Sequence, residues 1–99
     1  MAYRLIWSPV AKLDLTDILD FISLDSVSVA RRFAGKLFAA VERLAEFPQS
    51  GRVVPELGDP GLREVIRRPC RIVYRVDAEK KQIEIVRIWH AARGTPDMS

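Results

Sequence analysis

Arginines crowd the C-terminal part of this chain: Arg63, Arg67, Arg68, Arg71, Arg75, Arg87 and Arg93, with the single histidine, His90, among them. Guanidinium groups hold phosphates through paired hydrogen bonds and stay charged at any physiological pH. Histidine titrates near neutrality and can move a proton. Together they have the parts for metal-free RNA cleavage. A base takes the 2′-hydroxyl proton, arginines stabilise the charged phosphate, and an acid protonates the leaving oxygen. Arg63, Arg71, His90 and Arg93 are the candidates for that chemistry, and if the last three strands form a meander, Arg63, Arg71, Arg75 and Arg93 are expected to converge on one side. Arg67, Arg68 and Arg75 are candidates for contacts with a target or partner.

A plainer reading stands beside this one. Exposed arginines on a sheet are usually solvated or paired with acids, and Glu64, Asp77 and Glu84 are at hand. His90, at a strand end beside Trp89, fits a packing or capping role. Cys70 and Tyr74 alternate with Ile72 and Val76 and so read as core. Trp7 and Trp89 read as anchors of the core or sheet edge. Asp14 and Asp17, three apart on a helix, read as a solvated face.

Composition narrows the classes. Sixteen basic against thirteen acidic residues give a net charge of +3, so distribution matters more than the sum. Asp14, Asp17, Asp20 and Asp25 lie early and the arginines late, which suits an anionic partner, nucleic acid or acidic protein. One cysteine builds neither a disulfide framework nor a cysteine-based zinc site. There is no phosphate-binding glycine loop, HExxH pair or Gly-x-Ser-x-Gly elbow, so no cofactor and no metal are expected. The apolar run before Ser8-Pro9 is too short for a signal peptide or a membrane span. The expectation is a cytoplasmic protein with no membrane partner.

The elements that must position these groups follow from periodicity. Residues 3–7 form a first strand. Ser8-Pro9 opens a helix, serine as cap and proline at the first turn. Ala11, Leu15, Ile18, Leu19 and Ile22 recur at helical spacing until near Leu24. A short turn at 25–28 leads to a second helix with Ala30, Phe33, Ala34, Leu37, Val41, Leu44 and Ala45 on its apolar side. Phe47-Pro48 stops it. Residues 49–61, with three glycines and two prolines, read as loop. Strands are expected over 62–68, 70–77 and 82–89, as an antiparallel meander. The fold class is α+β in two layers: a helical hairpin packed on a four-stranded, mainly antiparallel sheet, in the order β-α-α-β-β-β. One domain is expected over 1–93, with a frayed tail at 94–99.

The strings YRLIWSPVA (Tyr3 to Ala11), LAEFPQSGR (Leu44 to Arg52), Leu62-Arg63-Glu64, CRIVY (Cys70 to Tyr74) and IVRIWHAAR (Ile85 to Arg93) coincide in order with one family. Over nearly its whole length the chain resembles the RelE/ParE toxins of type II toxin–antitoxin systems. The resemblance implies the same fold, with the first strand beside the last, and a cognate antitoxin, commonly acidic, as partner. It implies one of two targets: DNA gyrase for ParE-like members, or the ribosome with mRNA for RelE-like endoribonucleases. Arg71 matches the arginine of the nuclease strand, and Arg63 lies where that group carries basic residues. The lysines typical of the strand after the loop are missing, with Val65 and Ile66 in that region. The C-terminal tyrosine of many nucleases has no counterpart in 94–99. His90 to Arg93 looks more like the ParE side. The leading expectation is therefore a ParE-like gyrase inhibitor. The alternatives are a ribosome-dependent endoribonuclease and a degenerate fold that only binds antitoxin. The helical hairpin is a candidate homodimer surface.

Overall fold

Ser8 and Pro9 do what their chemistry predicts. Strand β1 (Arg4–Trp7) ends, and the Ser8 hydroxyl accepts the Ala11 amide at 3.0 Å to start helix α1 (Pro9–Ser23). The same hydroxyl donates to the Val86 carbonyl at 2.9 Å, tying the helix start to the last strand. Ser26 caps helix α2 (Val27–Glu46) through the Val29 amide at 3.2 Å. The strands that follow are β2 (Arg52–Val53), β3 (Leu62–Arg67), β4 (Cys70–Asp77) and β5 (Gln82–His90), then a 3₁₀ turn at Ala91–Arg93. The computed structural model describes residues 2–93, with Arg93 as backbone only, so the expected tail at 94–99 lies outside the described residues.

The sheet order is β1-β5-β4-β3-β2, with β1 parallel to β5 and every other pair antiparallel. The α+β class, the hairpin layer and the place of β1 beside β5 are as expected. Among the described residues the sheet has five strands, not four. β2 is only two residues long, lies among glycines and prolines, and has both side chains exposed. It carries no apolar alternation, so only its pairing of Arg52 with Glu64 and Val53 with Arg63 reveals it.

The main core lies between hairpin and sheet. Ala11 and Ile18 of α1 and Leu37, Ala40, Val41 and Leu44 of α2 meet Cys70, Ile72, Tyr74, Ile83, Ile85 and Ile88. The inward set on β5 skips from Ile85 to Ile88 because Val86 is an extra residue: Tyr74 opposes Ile85 while Val73 opposes Arg87. Past this bulge, Val73 lies on the outward face. There it forms a second small core with Val54 and Leu62, against which Leu57 and Val86 pack. The β3–β4 turn contains a cis peptide between Arg68 and Pro69.

Cys70 is buried beneath α1, as its alternation predicts. Burial, helped by the nearby Asp14 carboxylate, pushes its thiol up to about 11. An unfolded thiol titrates near 8.5. Between these values the unfolded chain loses the proton and the folded one keeps it, so stability falls as pH rises through that window. The Tyr74 phenol, also raised by burial, adds to the fall at the alkaline end. Thermal melts from pH 8 to about 11 are expected to show this decline, and Cys70→Ala is expected to make it shallower. A slope unchanged in the variant would remove Cys70 as its source.

Candidate functional site

Directly opposed residues of neighbouring strands share a face, so register sorts the candidate arginines. Arg71 and Arg75 lie on the outward face of the sheet with Val73, Glu64 and Leu62, away from the helices. Glu64 is the centre of this face, its side chain fully shielded from solvent. Arg52 Nη2 stands 2.7 Å from Glu64 Oε2, and Arg71 Nη1 stands 3.3 Å from Oε1. The same Arg71 nitrogen donates to Glu56 Oε1 at 2.9 Å. Arg75 Nη2 lies 3.5 Å from Asp59 Oδ2. Glu56 and Asp59 belong to the segment between β2 and β3, which Val54 and Leu57 fasten to the second core.

These contacts change the electrostatics of the face. The hydrogen bond from Arg71 holds the Glu56 carboxyl below its ordinary range, and that carboxylate raises the Arg71 guanidinium further. A phosphate arriving here would have to displace a carboxylate already hydrogen-bonded at good distance. The anticipated pairing of outward arginines with Glu64 is present. Glu56 and Asp59 were not anticipated, because nothing in a loop's composition tells which strand face it folds over.

The other candidates point elsewhere. Arg63 is opposite Tyr74 on the helix-facing side, half-buried, and donates to the Gly51 carbonyl at 2.8 Å. His90 is opposite Cys70, on that same side, and its Nδ1 accepts the Ala92 amide at 3.0 Å. Arg67 is exposed, borders a hollow beside Arg43 and Glu46 of α2, and bonds the neighbouring Ile66 carbonyl. Arg68 is exposed at the β3–β4 turn. Convergence of these cations on one side, expected if the meander formed, is therefore corrected. Arg71 and Arg75 share one face, Arg63 and His90 the other, and the side chain of Arg93 lies outside what is described. The reason is register: Arg63 and Arg71 lie on neighbouring strands, but Arg71 opposes Ile66 rather than Arg63.

A second correction concerns Asp14, expected on a solvated face. It is 5% exposed. Its Oδ2 accepts Arg87 Nε at 2.8 Å and the Ile88 amide at 3.0 Å, and its Oδ1 accepts Arg87 Nη2 at 3.0 Å. The cause is the length of β1. Its ladder with β5 stops at the Trp7–Ile85 pair, so the end of β5 has no strand on that side. α1 crosses there instead, and Asp14 supplies the acceptor that a strand would have supplied. Arg87 also stacks over Trp89, 5.1 Å from the ring centre. The signal was present: residues 11, 14 and 18, the buried positions of α1, follow helical spacing.

A family model for the ParE toxin of type II toxin–antitoxin systems, parDE, matches residues 5–94. The chain belongs to the ParE toxin family. Toxin RelE2 of Caulobacter vibrioides is 38% identical to this ParE-family chain over 90 residues, covering 91% of it and 97% of the relative. The solved chromosomal ParDE system of P. aeruginosa contains a chain 27% identical, covering 90% of this chain and 96% of its own, with a TM-score of 0.72. The RelBE2 toxin–antitoxin complex of Mycobacterium tuberculosis shares the fold at 20% identity, covering 91% of this chain and 92% of its own, with a TM-score of 0.65. As a ParE/RelE-family member the protein is the toxin of a type II toxin–antitoxin system. No helix among the described residues is long and apolar enough to cross a membrane.

Proposed function

We propose that this ParE-family toxin acts by binding a protein target, DNA gyrase, and that a cognate antitoxin neutralises it. The observation that carries the reading is the state of the outward arginines. Arg71 is held by Glu56 and Glu64, and Arg75 by Asp59. His90, the histidine expected as a proton-transfer group, lies on the opposite face of the sheet. Phosphodiester cleavage needs a proton-transfer group within hydrogen-bond reach of the clamped phosphate. A protein-binding inhibitor needs no such assembly.

The antitoxin enters by family membership and by likeness to chains solved within toxin–antitoxin systems. The test separates the two target classes through one residue. Arg71→Ala is expected to leave growth arrest and gyrase inhibition within about threefold of wild type, because Arg71 serves the fold. In a ribosome-dependent nuclease the loss of a phosphate clamp costs about 1.5–3 kcal/mol, on the order of 10- to 100-fold in rate. Codon-linked mRNA cuts that vanish in Arg71→Ala or His90→Ala would overturn the gyrase reading.

A further inference from the structure

Charge compensation is uneven over the molecule. On the outward sheet face Arg52, Arg71 and Arg75 each have a carboxylate partner, and Arg87 has Asp14. Elsewhere Arg32, Lys36, Arg43, Arg67 and Arg68 are exposed and form no ion pair among the described residues. Helical spacing collects three of them. Arg32, Lys36 and Arg43 project within about 40° of one another around α2 and extend along it for about 16 Å. Arg67, at the end of β3, and Arg68, in the turn after it, stand across a trough from this stripe. Arg67 borders the hollow that holds Lys36 and Arg43, and Arg68 the hollow that holds Arg32 and Lys36, so the two hollows meet at Lys36. Glu42 and Glu46 rim one end, which leaves five cations against two carboxylates along the trough. Gly35 and Ala39 lie beside the stripe and keep its surface low.

We propose that this trough seats the phosphate backbone of duplex DNA without reading its sequence. A duplex carries one charge per roughly 1.7 Å of axis, so a stripe of about 16 Å runs beside on the order of ten phosphates. Free guanidinium and ammonium groups take phosphates with no carboxylate to displace, in contrast to Arg71. Small side chains beside them let a phosphate strand come close to the helix. Contacts of this kind position a protein on a duplex and carry no base information. A single strand suits the trough less well, because it is held by rings on which successive bases stack. Between Lys36 and Arg43 the stripe offers only Ala39, and Phe47 has Arg43 over its ring at 5.1 Å. The choice of DNA over RNA rests on the gyrase reading, since a toxin docked on gyrase has duplex DNA beside it.

Fluorescence anisotropy of a short labelled DNA duplex, titrated with the full-length toxin alone, tests this. Saturable binding is expected, equal within about twofold for two unrelated sequences. Affinity should fall with salt at a log–log slope of about −3 to −4.5, the slope for three to five phosphate contacts. Lys36→Glu/Arg43→Glu is expected to weaken binding at least about tenfold and to flatten that slope by about two. A Cβ on Gly35 meets nothing within 4 Å, so Gly35→Glu should weaken binding and Gly35→Lys strengthen it, both with the fold intact by circular dichroism. Arg4→Glu, an exposed cation on β1, should leave affinity within about twofold. Absence of saturable binding, affinity indifferent to salt, undiminished binding by the folded double variant, or tighter binding of single-stranded DNA or of RNA would each overturn the proposal. Gyrase takes no part in the titration, so a negative result leaves inhibition of supercoiling standing. A toxin that binds the duplex but spares gyrase would overturn the gyrase reading alone.

Discussion

Asp14→Ala is expected to destabilise the fold by about 3–5 kcal/mol, the usual result of removing one partner from a buried ion pair. The substitution strips acceptors from Arg87 Nε and Nη2 and from the Ile88 amide at once. Water cannot easily replace them, because α1 covers the site and Arg87 is itself largely shielded. A domain of this size shifts by roughly 4–8 °C per kcal/mol, so the melting temperature should drop by more than about 10 °C. Asp14→Asn keeps one acceptor and should fall between wild type and Ala. Asp14→Leu/Arg87→Met removes both charges and should recover much of the loss. Urea midpoints for the three variants check this, and an Ala variant within about 1 kcal/mol of wild type would contradict the role given to Asp14.

Gly51→Ala is the second substitution with a large expected cost. A Cβ built there would stand 2.5 Å from the Glu64 carbonyl oxygen and 2.6 Å from the Tyr74 hydroxyl. Neither can retreat freely. The carbonyl is backbone of β3, and the hydroxyl is fixed by accepting the Gly51 amide at 2.8 Å and donating to the Pro48 carbonyl at 2.9 Å. Relief requires β2 to move from β3, which disturbs the Arg52–Glu64 pair and the loop carrying Glu56. A loss of about 1–3 kcal/mol is expected, with the Tyr74 hydrogen bonds broken. Tyr74→Phe/Gly51→Ala should lose less than the sum of the singles, because both act on one contact. Strict additivity in a double-mutant cycle would show that they do not share it.

The architecture was legible because its signals are local. Serine caps, helical stripes and the alternation of Cys70, Ile72 and Tyr74 depend on neighbours in sequence, and each lies where its periodicity puts it. β2 was hidden because two exposed residues carry no period. The bulge at Val86 was hidden because β-branched residues fill both faces of β5 near it. The candidate site was less legible. Which face an arginine takes depends on register between strands, which separated Arg63 from Arg71. Whether its charge is free depends on a loop's path, which brought Glu56 and Asp59 over the sheet. Asp14 illustrates a different limit. Its helical spacing with Ala11 and Ile18 was visible, but the demand for a buried acceptor arises only from where β1 stops.

Supercoiling by purified gyrase, with increasing amounts of the isolated full-length toxin, tests the central claim most directly. The account predicts dose-dependent loss of supercoiling, equal for wild type and Arg71→Ala, with reversal by the cognate antitoxin. Full gyrase activity in excess of a folded and toxic protein would contradict it and turn attention to mRNA on the ribosome. Full activity together with no growth effect would leave a fold that only binds its antitoxin.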